Sequence, residues 1–327
     1  MSVKSSLAAL LHPIEKRFDR LTHRRRQAGT QVIEPYDGYE TPEGVILRGR
    51  VLSELRRGTP KDNRGWFDNL REMLSLFLTS EVAQVRVATV DGGIEAISDE
   101  EGYFTLVISD ATAIATHVDV HLPARPDVPP VSLPVYRALP GAEYGVISDI
   151  DDTMLETGAY SLARNLWTSM TGNALTRRVF PDAVALMQKL HDDRNPVFYV
   201  SSSPWNLFDF LQQIFRRHGL VMGPMFLRDL GISSTQFVTG THGDHKGAAI
   251  DTILAANPDL PFVLIGDTSQ HDAHVYLHAI QRHPGRITRV ILRQPGPGPD
   301  AKSLASMEAI RAAGVRLDSA PDYSKLL

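Results

Sequence analysis

The chain has 327 residues, enough at about 150 residues per domain for two domains with real cores. Its 43% hydrophobic and 22% charged fractions exclude wholesale disorder, collagen and coiled coil, and zero cysteines exclude disulfides, thiol nucleophiles and cysteine-based zinc sites. The net charge of −4 hides an asymmetry: residues 1–29 hold seven Lys/Arg against two acids, which makes that segment +5 and leaves −9 elsewhere, a balance that argues against nucleic-acid binding.

In the leader, residues 1–30, Leu7, Leu10, Leu11, Ile14, Phe18 and Leu21 recur at three- and four-residue steps, which predicts a basic amphipathic helix interrupted at Pro13. Such a helix suits an anionic membrane surface; the commoner arrangement is a helix packed on its own protein with a solvated basic face. No run approaches the roughly 18 apolar residues of a spanning helix, and no apolar signal core opens the chain. A cytoplasmic location, peripheral at the inner membrane surface, is expected.

Residues 31–135 change to alternation. Val45-Ile46-Leu47, Val85-Val87, Phe104-Leu106-Ile108 and Val118-Val120-Leu122 predict short strands of a β-sandwich-like accessory domain, with one helix over Trp66–Leu78. No catalytic constellation lies here, so a structural or docking module is expected. Pro134 to Gly141 reads as a linker. Over residues 140–327, apolar runs at Tyr144–Ile147, Val197–Val200, Phe262–Ile265 and Val290–Leu292 alternate with helical patterns at Ala183–Leu190, Trp205–Arg217, Ala248–Ala255, Val275–Ile280 and Ser303–Ala312. That alternation predicts an α/β, Rossmann-like parallel sheet covered on both faces, with ligands at the carboxyl ends of its strands.

The residues just after those runs carry the chemistry. Asp149, Asp151 and Asp152 stand within four positions at the first predicted strand end, and packing such charges together is costly without a cation. Carboxylates at alternate positions suit a hard metal such as Mg²⁺, and one could serve as a nucleophile in phosphoryl transfer. After the second strand comes Ser201-Ser202-Ser203-Pro204-Trp205, where Ser203 suits a helix cap, Pro204 a first helical position, and free amides an anion. Lys246 is read at the start of a further helix, where a cation near the carboxylates would neutralise a phosphoryl group; Gly266-Asp267 through Asp272 adds two acids at another strand end. Taken singly, these motifs equally fit an acidic turn, a capped helix and surface charge.

In the order Asp149/Asp151/Thr153, Ser201, Lys246, Asp267/Asp272, the chain resembles the haloacid dehalogenase-like phosphohydrolases. Over about residues 140–295, YGVISDIDDTMLETG, FYVSSSPWNL, FLRDLG, HKGAAI and FVLIGDTSQHD are similar to the catalytic domain of the actin-patch phosphatidate phosphatases, with lipins as more distant cousins in chemistry. The preceding β-rich region resembles the companion module of bacterial members. This resemblance implies that Asp149 is the nucleophile, that Asp151 is the acid and then the base, and that Thr153 completes the motif. It implies Mg²⁺ held by Asp149, the main-chain carbonyl of Asp151 and Asp267, with Asp272 supporting the metal or Lys246. Ser201 and Lys246 would bind the phosphoryl oxygens, with Ser202 also on the substrate side. Phosphatidate is the implied substrate, another phosphomonoester the alternative.

The segment Glu156–Pro181 lies where the superfamily places a flap; its Arg164, Trp167, Met170, Arg177 and Arg178 suit a lipid phosphate, with Arg177 and Arg178 the expected substrate contacts, or an ordinary connector. Arg228-Asp229 also matches the family pattern, whereas Gln294 follows Arg293 where an acid is expected. Histidines at 242, 245, 271, 274 and 278 raise a zinc reading, but His-x-x-His spacing is common by chance. No Gly-x-Gly-x-x-Gly follows the first strand of this region, which argues against a dinucleotide site. A non-catalytic lipid- or protein-binding scaffold is the rival from another class; the presence of both Asp149 and Asp151 favours catalysis.

Overall fold

The structure, a computed structural model, describes residues 31–53, 81–109, 116–156, 179–228, 242–296 and 298–326. The expected leader helix, the Trp66–Leu78 helix and most of the Glu156–Pro181 flap, including Arg164, Trp167, Met170, Arg177 and Arg178, lie outside these residues.

The first region contributes β1 (Val32–Pro35), β2 (Gly38–Thr41), β3 (Gly44–Leu52), β4 (Arg86–Thr89), β5 (Glu95–Ile97), β6 (Tyr103–Ile108), β7 (His117–His121) and β8 (Val131–Tyr136). They form one sheet in the order β1-β3-β2-β8-β7-β4-β5, with β6 on β3. One edge of β3 takes β6; the other is shared, β2 pairing with Gly44–Ile46 and β1 with Gly49–Leu52. The strands are hydrogen-bonded as one curled sheet around an apolar core of Val45, Leu47, Val51, Phe104, Leu106, Val120, Leu122 and Leu133, a pairing that does not confirm the expected sandwich. The linker read from Pro134 also begins later, since Pro134 pairs with His117 inside β8.

Because strand side chains alternate between faces, β3 has two separate uses. Val45 and Leu47 enter the curled core, while Ile46 packs against the neighbouring α/β region and Arg48 reaches it through hydrogen bonds and ring contacts. Tyr36 and Tyr39, between β1 and β3, are likewise buried in the cores of that second region.

The second region runs β9 (Gly145–Asp149), α1 (Pro181–His191), β10 (Val197–Pro204), α2 (Phe208–His218), β11 (Met225–Arg228), α3 (His242–Ala256), β12 (Phe262–Asp267), α4 (Asp272–Arg282), β13 (Ile287–Arg293), α5 (Ala301–Ala312) and β14 (Arg316–Ala320). Its six strands are all parallel, in the order β11-β10-β9-β12-β13-β14. One face packs α1 and α2 and the other α3, α4 and α5. This is the expected α/β class. Two strands outside the expected apolar runs, β11 and β14, are the sheet edges, where one short strand and one polar one (Arg316, Asp318, Ser319) give weak patterns. Strand order reverses at β9, so the ends of β9 and β12 flank the crevice that parallel sheets use for ligands.

Two local expectations change. Ser203 and Pro204 remain extended at the end of β10; a 3₁₀ turn over Trp205–Leu207 follows before α2 begins at Phe208. Lys246 sits about one turn inside α3, which starts at His242.

Candidate active site

Asp149 is the last residue of β9 and Asp267 the last of β12, and the pairing of Ser148 with Ile265 brings these ends side by side. Gly266 admits Asp272 beside them: a Cβ there would meet Asp272 Oδ2 at 2.5 Å and the Tyr276 hydroxyl at 2.7 Å. All three aspartates and Lys246 are buried. The Lys246 ammonium lies 2.7 Å from Asp149 Oδ1 and 2.6 Å from Asp272 Oδ1, and Asp272 Oδ2 accepts the Asp267 N–H at 3.1 Å. Asp267 Oδ1 accepts the Ser269 N–H and hydroxyl, each at 2.5 Å, and the Gln270 N–H at 3.0 Å.

Those bonds leave one oxygen open on each of two acids. Asp149 Oδ2 and Asp267 Oδ2 are enclosed and have no hydrogen-bond partner. One carboxylate oxygen each from Asp149, Asp267 and Asp272 fall within 4.8 Å of one another. Three buried carboxylates share one ammonium, so negative charge is in excess. Burial pushes Asp149 well above the ordinary carboxylate range, with Lys246 opposing and the neighbouring aspartates reinforcing the shift. Burial, and then Asp272, raise Asp267 to about 7. Burial works to lower Lys246, but Asp149, Asp272 and Asp267 outweigh it and hold the ammonium charged. Enclosed oxygen donors with unspent negative charge fit a hard divalent cation.

Beyond β9 the chain turns sharply: Asp152 has φ 58°, the Asp152 N–H donates to the Leu155 carbonyl at 2.8 Å, and the Met154 N–H donates to the Ile150 carbonyl at 2.9 Å. Asp151 projects from this turn. Its Oδ2 accepts the hydroxyls of Ser201 and Ser203, both at 2.9 Å, and the Ser203 N–H donates to Ser201 Oγ at 2.9 Å. Its main-chain carbonyl accepts Gln270 Nε2 at 2.7 Å. Thr153 is buried with its hydroxyl unpartnered, and Ser202 is half-buried and makes none of these bonds.

The structure thus joins Asp149, Lys246, Asp267 and Asp272 in one cluster and Asp151, Ser201, Ser203 and Gln270 in a second, bridged by the Asp149–Asp151 turn and the Asp267–Gln270 loop. Ser203 and Gln270 escape sequence reasoning: a serine before proline signals a helix cap, and a loop amide has no pattern. Arg293 also finds an acid, but from elsewhere. Its Nη2 donates to Asp182 at 2.7 Å, and the guanidinium lies between the rings of Phe180 at 4.0 Å and Tyr323 at 4.1 Å. His274 and His278 lie with Nε2 atoms 3.2 Å apart on α4, and among the described residues the metal-compatible trio is the aspartate cluster.

Residues 144–294 match the family model of the phosphatidate phosphatase APP1 catalytic domain. Phosphatidate phosphatase APP1 of Saccharomyces cerevisiae is 31% identical over 151 residues, covering 46% of this chain and 25% of that protein. An uncharacterised Schizosaccharomyces pombe protein is 24% identical over 149 residues, covering 45% of this chain and 24% of its own length. The chain therefore spans about a quarter of the length of these curated relatives. A solved structure described as a haloacid dehalogenase-like phosphatase from Mesorhizobium loti shows a faint likeness, with TM-score 0.32 and 10% identity over 54% of this chain and 90% of that one. Residues 144–294, the segment that carries the four motifs, are thus similar to the phosphatidate phosphatase APP1 catalytic domain.

Proposed function

We propose that the chain is a Mg²⁺-dependent phosphatidate phosphatase that releases diacylglycerol and phosphate through an aspartyl-phosphate on Asp149. The observation that carries this reading is the pair of enclosed, unpartnered carboxylate oxygens on Asp149 and Asp267 beside Lys246, within a segment that matches the phosphatidate phosphatase model. Asp149, Asp267 and the Asp151 carbonyl would hold the metal, which when bound supplies positive charge against the phosphoryl oxygens. Asp272 spends its two oxygens on Lys246 and the Asp267 amide, so its part is to hold that pair in place.

In the first step Asp149 attacks phosphorus, the phosphorus–ester oxygen bond breaks, and Asp151 gives its proton to the departing alcohol. In the second, Asp151 takes a proton from water, whose oxygen attacks the phosphoryl group and frees Asp149 and inorganic phosphate. One carboxyl thereby acts as acid and then as base. Ser201 and Ser203 hold Asp151 through a single oxygen, Oδ2, which leaves Oδ1 for the travelling proton. Lys246 neutralises phosphoryl charge, and positioning with neutralisation is most of what phosphoryl transfer asks of a protein. Ser202, Arg177 and Arg178 complete the proposed substrate contacts, while the Ser201 hydroxyl, expected on the phosphoryl oxygens, is given to Asp151.

The same reading takes residues 1–30 as a peripheral contact with an anionic inner membrane surface, residues 31–135 as the accessory unit and 140–327 as the catalytic one. Among the described residues no helix is long and apolar enough to cross a membrane. Phosphate release from phosphatidate in mixed micelles and from soluble phosphomonoesters, with Mg²⁺ or EDTA, tests the proposal. Metal-dependent release favouring phosphatidate is expected. Release from soluble esters alone would discard the lipid, and no release from either would overturn the activity.

A further inference from the structure

We infer that the curled sheet is part of the catalytic scaffold: Arg48 and Tyr36 are positioning residues that fix the Ser201–Trp205 segment and, through it, the carboxyl of Asp151. The inference rests on the reading of Asp151 as the proton-transferring group.

The segment needs outside support. β10 pairs with β9 only as far as Val200 opposite Asp149, and its register with β11 breaks between Val200 and Pro204. Ser201 and Ser203, whose hydroxyls both go to Asp151, fall in that gap. Two residues further on, Trp205 is gripped by the other sheet. The Tyr36 ring stacks on Trp205 with centroids 4.5 Å apart and planes 20° from parallel, and it also meets Phe208 at 4.8 Å.

Arg48 closes the grip. Its guanidinium carbon lies 5.2 Å from the Trp205 ring centroid, 4.5 Å from that of Phe226 on β11 and 5.1 Å from that of Tyr39. Its Nη2 donates across the seam to the Met225 carbonyl at 3.2 Å and within its own sheet to the Asp37 carbonyl at 3.4 Å. The Tyr36 N–H donates to the Arg48 carbonyl at 3.0 Å, so the two gripping residues are one unit. Gln212 on α2 adds a bond to Asp37 at 2.8 Å. A planar cation ringed by aromatics and bound to a carbonyl is directional, which a purely apolar seam is not. The strand end that aims Ser201 and Ser203 is therefore set by residues that sequence reading would leave in a docking module. Catalytic groups depend on such support, because displacements of about 1 Å can cost about a hundredfold in rate.

The full chain with Arg48→Met, Arg48→Lys or Tyr36→Leu is compared with wild type by steady-state hydrolysis of phosphatidate in mixed micelles and of a soluble alkyl phosphomonoester, each with Mg²⁺, and by amide hydrogen exchange. For Arg48→Met we expect kcat to fall at least about tenfold with KM within about twofold, and Arg48→Lys to recover part of the loss. Exchange over residues 201–207 should accelerate about tenfold while β12 keeps its protection. A folded Arg48→Met protein with wild-type kcat and wild-type protection at 201–207 would overturn the inference. If Arg48→Met does not fold, Tyr36→Leu, which leaves the cation in place, faces the same two criteria. If wild type itself releases no phosphate, the proposed activity fails, and exchange at 201–207 alone decides whether Arg48 and Tyr36 hold the segment.

Discussion

The two sheets bury charge in opposite ways. At the ends of β9 and β12, three aspartates surround one lysine, and Asp149 Oδ2, Asp267 Oδ2 and the Thr153 hydroxyl are enclosed without partners. In the curled sheet, buried Arg50 gives Nε to the Glu101 carbonyl at 2.8 Å and Nη2 to Glu81 at 2.6 Å, and its guanidinium lies 4.4 Å from the Tyr103 ring centroid. Arg48 gives Nη2 to two carbonyls and lies against three rings, with its Nε enclosed and unpartnered. Enclosed polar atoms without partners occur on both sides, but among the described residues only the aspartate cluster joins them to an excess of negative charge, and such a cluster is one that a cation would complete. The curled sheet uses its charge as fastening; the parallel sheet holds its charge in reserve.

The largest effect that could break this contrast is at Asp149. Asp149→Asn should lower phosphate release by at least about 10³-fold. It should also melt about 2–4 °C higher than wild type in EDTA, because it relieves one of the crowded acids. Calorimetry beside the activity assay checks both, and a variant that loses activity and stability together would mean that the cluster is structural. Next comes Lys246→Met, which leaves Asp149 and Asp272 without their shared ammonium. Denaturant titration should show a loss of about 3–5 kcal/mol. A near-neutral result would mean that the acids are already protonated and uncrowded.

Metal comes third. Mg²⁺ at 100 times its dissociation constant should stabilise the fold by about 2.7 kcal/mol. Asp267→Asn should abolish that gain in a thermal-shift titration, whereas His274→Ala should keep it.

The smallest effect sharpens the contrast from the curled side. Asp37 is buried at the seam, and burial, opposed by the Gln212 hydrogen bond and by Arg48 and Arg216, lifts it from 3.8 to about 7. Between those values the folded chain keeps a proton that the unfolded chain has lost. Its contribution therefore favours folding fully below about pH 4 and is lost as pH rises through about 7. Comparing wild type with Asp37→Asn from pH 5 to 8, the difference in unfolding free energy should change by at most about 1.4 kcal/mol per pH unit. A pH-independent difference would place Asp37 ionised throughout.

Much of the parallel sheet is legible in the sequence because its strands are buried on both faces and read as apolar runs, with Asp149 and Asp267 as the residues that end two of them. Asp149, Asp151 and Asp267 stand out for the same reason, since charge at the end of an apolar run is conspicuous, whereas Lys246 and Asp272 stand out only through their order with those motifs. Ser203 is misread because Ser-Pro is the local signal of a helix start, and the competing interaction, Asp151, is 52 residues away. β1 and β2 are four-residue strands with glycine and proline inside, too short for alternation to register. Arg48 looks like an outward surface charge on β3, and its partner at Met225 is 177 residues distant. Local propensity shows what an element is; it does not show which element it meets.

The most direct test of Asp149 as nucleophile is mass spectrometry of the full chain quenched in acid during turnover of phosphatidate with Mg²⁺. The peptide that contains Asp149 should gain one phosphoryl group, localised to that residue and absent in Asp149→Asn. Undiminished hydrolysis by Asp149→Asn, with no phosphorylated peptide from wild type, would contradict the reading.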